Sequence, residues 1–406
     1  MGTLPQDFVY EILLLLPLKS LLRFRCLSTL FCGQIDDQEF IKNHLNRLIQ
    51  SQICQKLIVN NKTGTHFYAA DFDGGLQEAT ALNYPFESAC GSSLVVGGSC
   101  RGLILLVLGS SNSELALWNP FTRRYKKIPP CPVKTLSVYE ESCMLGLGYD
   151  SAVDDYKIVK VSQFGGPGDS NHSFQSWVFS LKENSWSRSQ DAPVKLEDSV
   201  SRKASFANGA LYWQCDDEDK MFAFDLTKEV FSDIPLLPNS GFLISRVDDQ
   251  ELFFYYDTLV VFGGNVYIAI VSAESRNLEF YLHVSDEGGE DAGGSWEKAF
   301  DMEDEEIERV LNVDDVEEAG DHLDLPWPLA YSKEGDNILF YKKNEVFWYN
   351  HENRARERVL IAGIPWTQGQ RYSFHVCWES LASVGDGSAF DGAAEEMIID
   401  EASRTI

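Results

Sequence analysis

Apolar positions recur along this chain in two rhythms. Over the first fifty residues the spacing is helical: Phe8, Ile12 and Leu16 recur every four residues behind Pro5, which suits a first helical turn. Pro17 ends that helix. A second apolar stretch, Leu18, Leu21, Leu22 and Leu27, runs on to Ser28. A third helix is expected from Asp36, with Glu39 completing a capping box and Phe40, Ile41, Leu45, Leu48 and Ile49 as its stripe. The run Ile12 to Leu16 breaks the amphipathic pattern, because five apolar residues advancing about 100° each surround the helix. Three short helices cannot bury every face of one of them. Part of this leucine surface is therefore expected to meet another domain or another protein.

From about residue 55 the rhythm is that of strands and turns. One unit recurs: an aromatic-ended strand, a polar turn, and a second strand ending near an aromatic or proline. Residues 115–125, 177–186, 221–231 and 346–356 are copies, and a looser fifth runs from Val261 through Gly263, Gly264 and Tyr267 to Leu278–Leu282 and Trp296. The aromatic anchors Trp118, Phe179, Phe224, Tyr281 and Trp348 lie 61, 45, 57 and 67 residues apart. Four-stranded units repeating every ~40–50 residues, with longer gaps as insertions, are the signature of propeller blades. A first blade is expected near residues 56–59 and a closing strand at 372–378, with six or seven blades in all.

Composition narrows the class. There are 62 acids against 34 bases among 406 residues, a net charge of −28, which argues against a nucleic-acid partner because phosphate binding needs a basic face. The charge is uneven. Residues 1–50 carry five acids and five bases; residues 286–324 carry seventeen acids opposed only by Lys298 and Arg309; residues 386–406 carry six against Arg404. These stretches read as a solvated inserted loop and a self-repelling tail, the alternative being an acidic arm that steers a basic substrate. No clean apolar run exceeds six residues, and the one near the start is Ile12 to Leu16, so no membrane span is expected. Asp7 and Glu11 precede it where a secretory signal would carry bases. Nine scattered cysteines with no C-x-x-C pair fit neither a disulfide framework nor a zinc ribbon. A soluble protein of a reducing compartment, cytoplasmic and/or nuclear, is the expectation.

Catalytic signatures are missing. No G-x-S-x-G, Walker loop or H-E-x-x-H occurs, and the seven histidines have no local metal spacing. Residues 97–102, which include Cys100, read as a glycine-led approach to a strand rather than a nucleophile turn. No catalytic residue, metal or cofactor is assigned, and the chain is expected not to be an enzyme.

Two resemblances join these parts. Leu4-Pro5-Gln6-Asp7, Glu11-Ile12-Leu13 and Leu16 through Ser28, followed by Ile35 through Ile41 and His44-Leu45, resemble the F-box. In that family the motif binds a Skp-type adaptor of a cullin–RING ubiquitin ligase. The resemblance implies adaptor contacts from Leu4, Pro5, Ile12, Leu13, Leu16, Pro17, Leu21 and Leu22, with Cys26, Leu27, Ser28 and Phe31 beside them. Leu15 stands where the family usually has a basic residue, and Thr29-Leu30-Phe31 where it has Lys-Ser-Trp. Phe31 keeps the aromatic anchor but loses an indole donor, a difference of about 1 kcal/mol. Residues 98–104, 118–123, 146–150, 154–159, 178–181, 185–186, 208–213 and 379–381 look like the F-box-associated domain of plant F-box proteins.

The implied architecture is a small all-α, three-helix F-box at 3–50, an all-β, kelch-like propeller at 55–384 carrying the acidic insertion 286–324, and an acidic tail at 385–406. The implied function is substrate recognition for a Skp–cullin–F-box ubiquitin ligase. The chain is most similar to the defence-repressing F-box/kelch group that holds plant immune receptors low. Its implied partners are the adaptor, through it the cullin and RING subunits, and an unidentified protein target bound on propeller loops. A non-degradative scaffold and a self-incompatibility receptor for a basic ribonuclease are the alternatives.

Overall fold

The computed structural model describes residues 5–61, 66–84, 86, 94–108, 114–132, 143–164, 173–191, 203–214, 220–237, 243–247, 250–254, 257–272, 275–284, 294–305, 307, 325–367 and 370–385. Four helices open the chain where three were expected: α1 (Gln6–Leu14), α2 (Leu18–Arg25), α3 (Thr29–Ile35) and α4 (Gln38–Gln50). The unexpected α3 starts because Ser28 is extended and its Oγ accepts the Phe31 N–H at 3.2 Å. The cap of α4 is Asp37 rather than Asp36, its Oδ1 accepting from the Glu39 and Phe40 N–H groups. Leu13, Leu14, Leu18, Leu21, Ile35 and Phe40 form the buried core of this module.

Among the described residues the remainder forms a β-propeller of six four-stranded antiparallel sheets. The first sheet joins β1 (Gln55–Asn61), β2 (Phe67–Asp71) and β3 (Ala79–Leu82) to β26 (Tyr372–Trp378), so the last strand of the chain pairs with the first. The second holds β4 (Leu94–Cys100), β5 (Leu103–Leu108), β6 (Glu114–Asn119) and β7 (Arg124–Ile128). The third holds β8 (Cys143–Asp150), β9 (Asp155–Phe164), β10 (Ser173–Ser180) and β11 (Ser185–Arg188). The fourth holds β12 (Ser205–Ala207), β13 (Ala210–Gln214), β14 (Lys220–Asp225) and β15 (Val230–Pro235). After a separate hairpin of β16 (Leu243–Val247) and β17 (Gln250–Phe254), the fifth holds β18 (Asp257–Phe262), β19 (Asn265–Val271), β20 (Leu278–Val284) and β21 (Ser295–Met302). The sixth holds β22 (Trp327–Tyr331), β23 (Asn337–Lys342), β24 (Glu345–Asn350) and β25 (Ala355–Val359).

The repeat seen in the sequence has a local cause. In four sheets the third strand ends on a small polar residue whose side-chain oxygen accepts backbone N–H groups of the four-residue turn that follows. These residues are Asn119, Ser180, Asp225 and Asn350. The fourth turn residue is then left-handed: Arg123, Asn184, Glu229 and Arg354 have φ between 51° and 57°. Trp118, Phe179 and Phe224 are fully buried one position before the polar residue, opposite Tyr125, Trp186 and Phe231. Two expected anchors are displaced. Tyr281 is only half-buried, a register shift having put Phe280 against Phe300, and in the sixth sheet Tyr349 rather than Trp348 turns inward.

The chain divides into two compact units. The first contains residues up to 130, 361–365 and from 373 on, that is, the helices and the first two sheets; the second contains 131–360 and 366–372, the other four sheets. Within the second, buried Lys157 on β9 reaches across to the neighbouring sheet, where its Nζ meets the Leu226 carbonyl at 2.7 Å and Glu229 at 2.9 Å, and it also pairs with buried Asp150 at 3.0 Å. Burial opposes ionisation of Asp150, but the bonds from Lys157 and Thr227 outweigh it and hold the carboxyl below the ordinary range.

The reading of 286–324 as one solvated insertion is corrected. β21 lies inside it as the fourth strand of a sheet, and three acids at its end are paired. Asp301 and Glu303 meet Arg354 at 3.0 and 2.6 Å, while buried Asp304 is held by Lys342 and Arg356. The basic partners lie some forty to fifty positions later, which no local pattern discloses. Residues 285–293 and 308–324 and the tail from 386 lie outside the described residues.

Candidate functional site

The helical module exposes what a folded core normally hides. Phe8, Ile12 and Leu15, spaced to share one stripe of α1, are 62%, 49% and 59% exposed, and Leu27 and Leu30 at the corner between α2 and α3 are 68% and 62% exposed. The inward side of α1 is Leu13 and Leu14, which meet Leu18 and Leu21 of α2, Ile35 of α3 and Phe40 of α4. The apolar run Ile12 to Leu16 has thus been divided between the module's own core and a side without cover among the described residues.

Of the expected contact residues, Pro5, Ile12, Pro17, Cys26, Leu27 and Ser28 are exposed, and Leu16, Leu22 and Phe31 are half-buried against the core. Leu13 and Leu21 are corrected: both lie inside, where they hold α1 to α2 and offer no surface. Leu4 lies outside the described residues. Phe8, Leu15 and Leu30 are exposed as well and are not among the expected contacts. The i, i+4, i+7 spacing of Phe8, Ile12 and Leu15 was present in the sequence, but nothing local says which side of the helix faces in.

The face is held by polar bonds behind it. Arg25 grips Asp36 through Nε and Nη2 at 2.7 and 2.8 Å, which keeps that carboxyl below its ordinary range. Cys32 donates to the same carboxylate at 3.4 Å, a bond that pushes its thiol up. Tyr10 meets Asn43 at 3.1 Å and packs edge-on against Phe40. Buried His44 faces the Leu16 carbonyl through Nε2 at 3.0 Å, and its burial lowers the imidazole below the usual value.

The connection to the sheets is equally fixed. Gln52 and Cys54 are left-handed at φ 52° and 59°, the Ile53 N–H returns to the Leu48 carbonyl at 3.2 Å, and the Cys54 N–H donates to Asp73 at 3.1 Å.

None of this arrangement suggests covalent chemistry. Cys100 is buried on β4 and burial pushes its thiol far up, while Cys377 is pushed to about 12, opposite to what an activated nucleophile needs. Among the described residues no three His, Cys, Asp or Glu side chains cluster as metal ligands, and no helix is long and apolar enough to cross a membrane. Residues 109–113, 133–142, 165–172, 192–202 and 215–219 lie outside the described residues.

Comparison with known families adds two matches: the F-box domain over residues 2–43 and the F-box associated beta propeller domain over residues 92–319. Relatives in Arabidopsis thaliana include the F-box protein CPR1, 34% identical over 203 residues, which are 48% of each chain. An F-box only protein 15 is 30% identical over 247 residues, covering 59% of this chain and 60% of that one. An F-box/kelch-repeat protein is 24% identical over 262 residues, covering 57% and 65%. The chain thus spans about half to two thirds of the length of these relatives.

Proposed function

The chain belongs to the F-box associated beta propeller family, and from that premise we propose that it is the substrate-recognition subunit of a Skp–cullin–F-box ubiquitin ligase. The observation that carries the reading is the stripe Phe8, Ile12 and Leu15, exposed on a helix whose opposite side is buried. Apolar area of this kind is worth roughly 25 cal/mol per Å² once covered, and a Skp-type adaptor is the partner that the F-box assignment supplies. Through the adaptor the chain would join a cullin and a RING subunit, in the cytoplasm or nucleus.

The mechanism is tethering. Holding a target beside a ubiquitin-charged conjugating enzyme converts an encounter between free molecules into one at roughly millimolar effective concentration. Bond-making groups belong to that enzyme, and this chain supplies position. The target site is assigned to propeller loops, since recognition commonly sits on loops carried by a rigid scaffold. A plant immune receptor is the finer reading of the target, supported by the similarity to CPR1.

The test is co-purification with a Skp-type adaptor, before and after Ile12→Asp combined with Leu15→Asp. Both positions are exposed, so the double variant should fold and lose the adaptor; Leu13→Asp would instead unfold the module. Absence of adaptor binding by the unaltered chain at micromolar concentration would falsify the proposal. Receptor abundance that fails to rise when the chain is removed would exclude the immune-receptor reading alone.

A further inference from the structure

Three parts of the chain, distant in sequence, meet beneath the helices. Phe121 from the turn after β6 and Leu381 from the segment after β26 both pack against the core of Leu13, Leu14, Leu18, Leu21, Ile35 and Phe40. One residue places both. Asn119 is fully buried, and its Oδ1 accepts the Phe121 and Thr122 N–H groups at 3.0 and 3.2 Å. That is the turn-closing role also filled by Ser180, Asp225 and Asn350. Its Nδ2 donates to the carbonyls of Ser380 and Ala382 at 3.0 and 2.9 Å, the residues on either side of Leu381. Ser180 and Asp225 have no amide and cannot do this.

The 379–384 segment is gripped from other sides too. Glu379 pairs with Lys56 at 3.0 Å, and its N–H donates to the Cys54 carbonyl at 2.9 Å. Ser380 sits so close over Gly102, which has φ +86°, that a Cβ there would overlap its Oγ. Asn46 of α4 receives a bond from Arg101 in the same turn. Short helices are marginal on their own, and here part of their floor is supplied by Phe121 and Leu381.

We propose that Asn119 is a positioning residue for the docking face, and that residues 379–384 complete the helical module. On this account the face becomes able to take its adaptor only when the last strand has paired with the first and Leu381 is seated. A chain arrested before residue 379 would carry every F-box residue and still present a loosened face. The proposal rests on the reading of that face as the adaptor site, and it assigns a task to two motifs, Asn119-Pro120-Phe121 and Glu379-Ser380-Leu381, that the ligase reading leaves without one.

Hydrogen–deuterium exchange on the full chain, with calorimetric titration of a purified Skp-type adaptor, tests it. Leu381→Ala removes the floor side chain, and Asn119→Asp keeps the Oδ1 acceptor while removing the amide donor. Each should raise exchange across residues 6–50 by about tenfold or more, leave 143–164 unchanged, and weaken adaptor binding by about tenfold. Leu360→Ala, at an exposed position outside this cluster, should change neither. Wild-type exchange in 6–50 for both variants overturns the proposal, and so does exchange rising equally through 143–164, since these residues would then be holding the sheets. If the unaltered chain takes no adaptor, the ligase reading falls while the exchange measurement still decides the role of Asn119.

Discussion

The two compact units differ in which chemistry they hide. Leaving aside residues from 385 on, the first carries 12 bases and 11 acids, a net charge of +1, while the second carries 21 bases and 45 acids, a net charge of −24. Among the described residues, five of nine exposed large hydrophobic side chains fall within the fifty residues of the helical module; the second unit shows four, spread from Val153 to Trp366. The first unit thus offers apolar surface with little net charge. The second buries its apolar surface between sheets and neutralises its buried acids Asp150 and Asp304 with Lys157, Lys342 and Arg356. Association through the first should depend weakly on salt and that through the second strongly. On the ligase reading, adaptor and target would then be met by surfaces of different chemistry.

The contrast can be broken most forcefully inside the second unit. Lys157→Met leaves Asp150 buried without its cation and should cost about 3–5 kcal/mol in urea denaturation; a loss below ~1 kcal/mol would mean that charge does not organise this unit. In the first unit, Ile12→Asp with Leu15→Asp should weaken adaptor binding about a hundredfold, some 2.7 kcal/mol, at nearly constant melting temperature. A large drop in melting temperature would place these residues in the core instead.

The third test is of pH. Burial lowers the His44 imidazole below its ordinary 6.5, with the neighbouring Arg47 adding to the effect and the Leu16 carbonyl opposing it. The unfolded chain therefore takes up the proton first, and the stability that His44 contributes is complete above 6.5 and is lost as pH falls below it. Helix protection measured from pH 7.5 down to 5 should decline, and His44→Gln should flatten that decline. The smallest effect is expected at Arg354→Ala, whose half-exposed ion pairs with Asp301 and Glu303 should be worth about 0.5 kcal/mol. A loss of several kcal/mol there would show the second unit's surface charge to be as structural as its buried charge.

What the sequence discloses follows from the range of the interactions. The third-to-fourth-strand hairpins are legible because the polar residue, the turn and the left-handed fourth position are consecutive. α1, α2 and α4 are legible from apolar spacing and prolines. α3 is not, since seven residues containing Gly33 make too short a period and its cap rests on one hydroxyl. The inward side of α1 is hidden for a different reason. It is set by Leu18, Leu21, Ile35 and Phe40 together with Phe121 and Leu381, the last two lying more than a hundred and more than three hundred positions away. The same range effect concealed the pairing of Asp301 and Asp304 with β25 and its neighbours.

The passage from α4 into β1 is tied by hydrogen bonds at both ends. Its two left-handed residues, its return bond to Leu48 and its bond to Asp73 make it a bracket rather than a leash. On the ligase reading proposed above, part of the distance between a captured lysine and the ubiquitin thioester would be spanned by the prey itself or by motion in the cullin arm. Lysines on pliable stretches of the prey would be modified first, and rigidly placed ones spared, however tightly the prey is held.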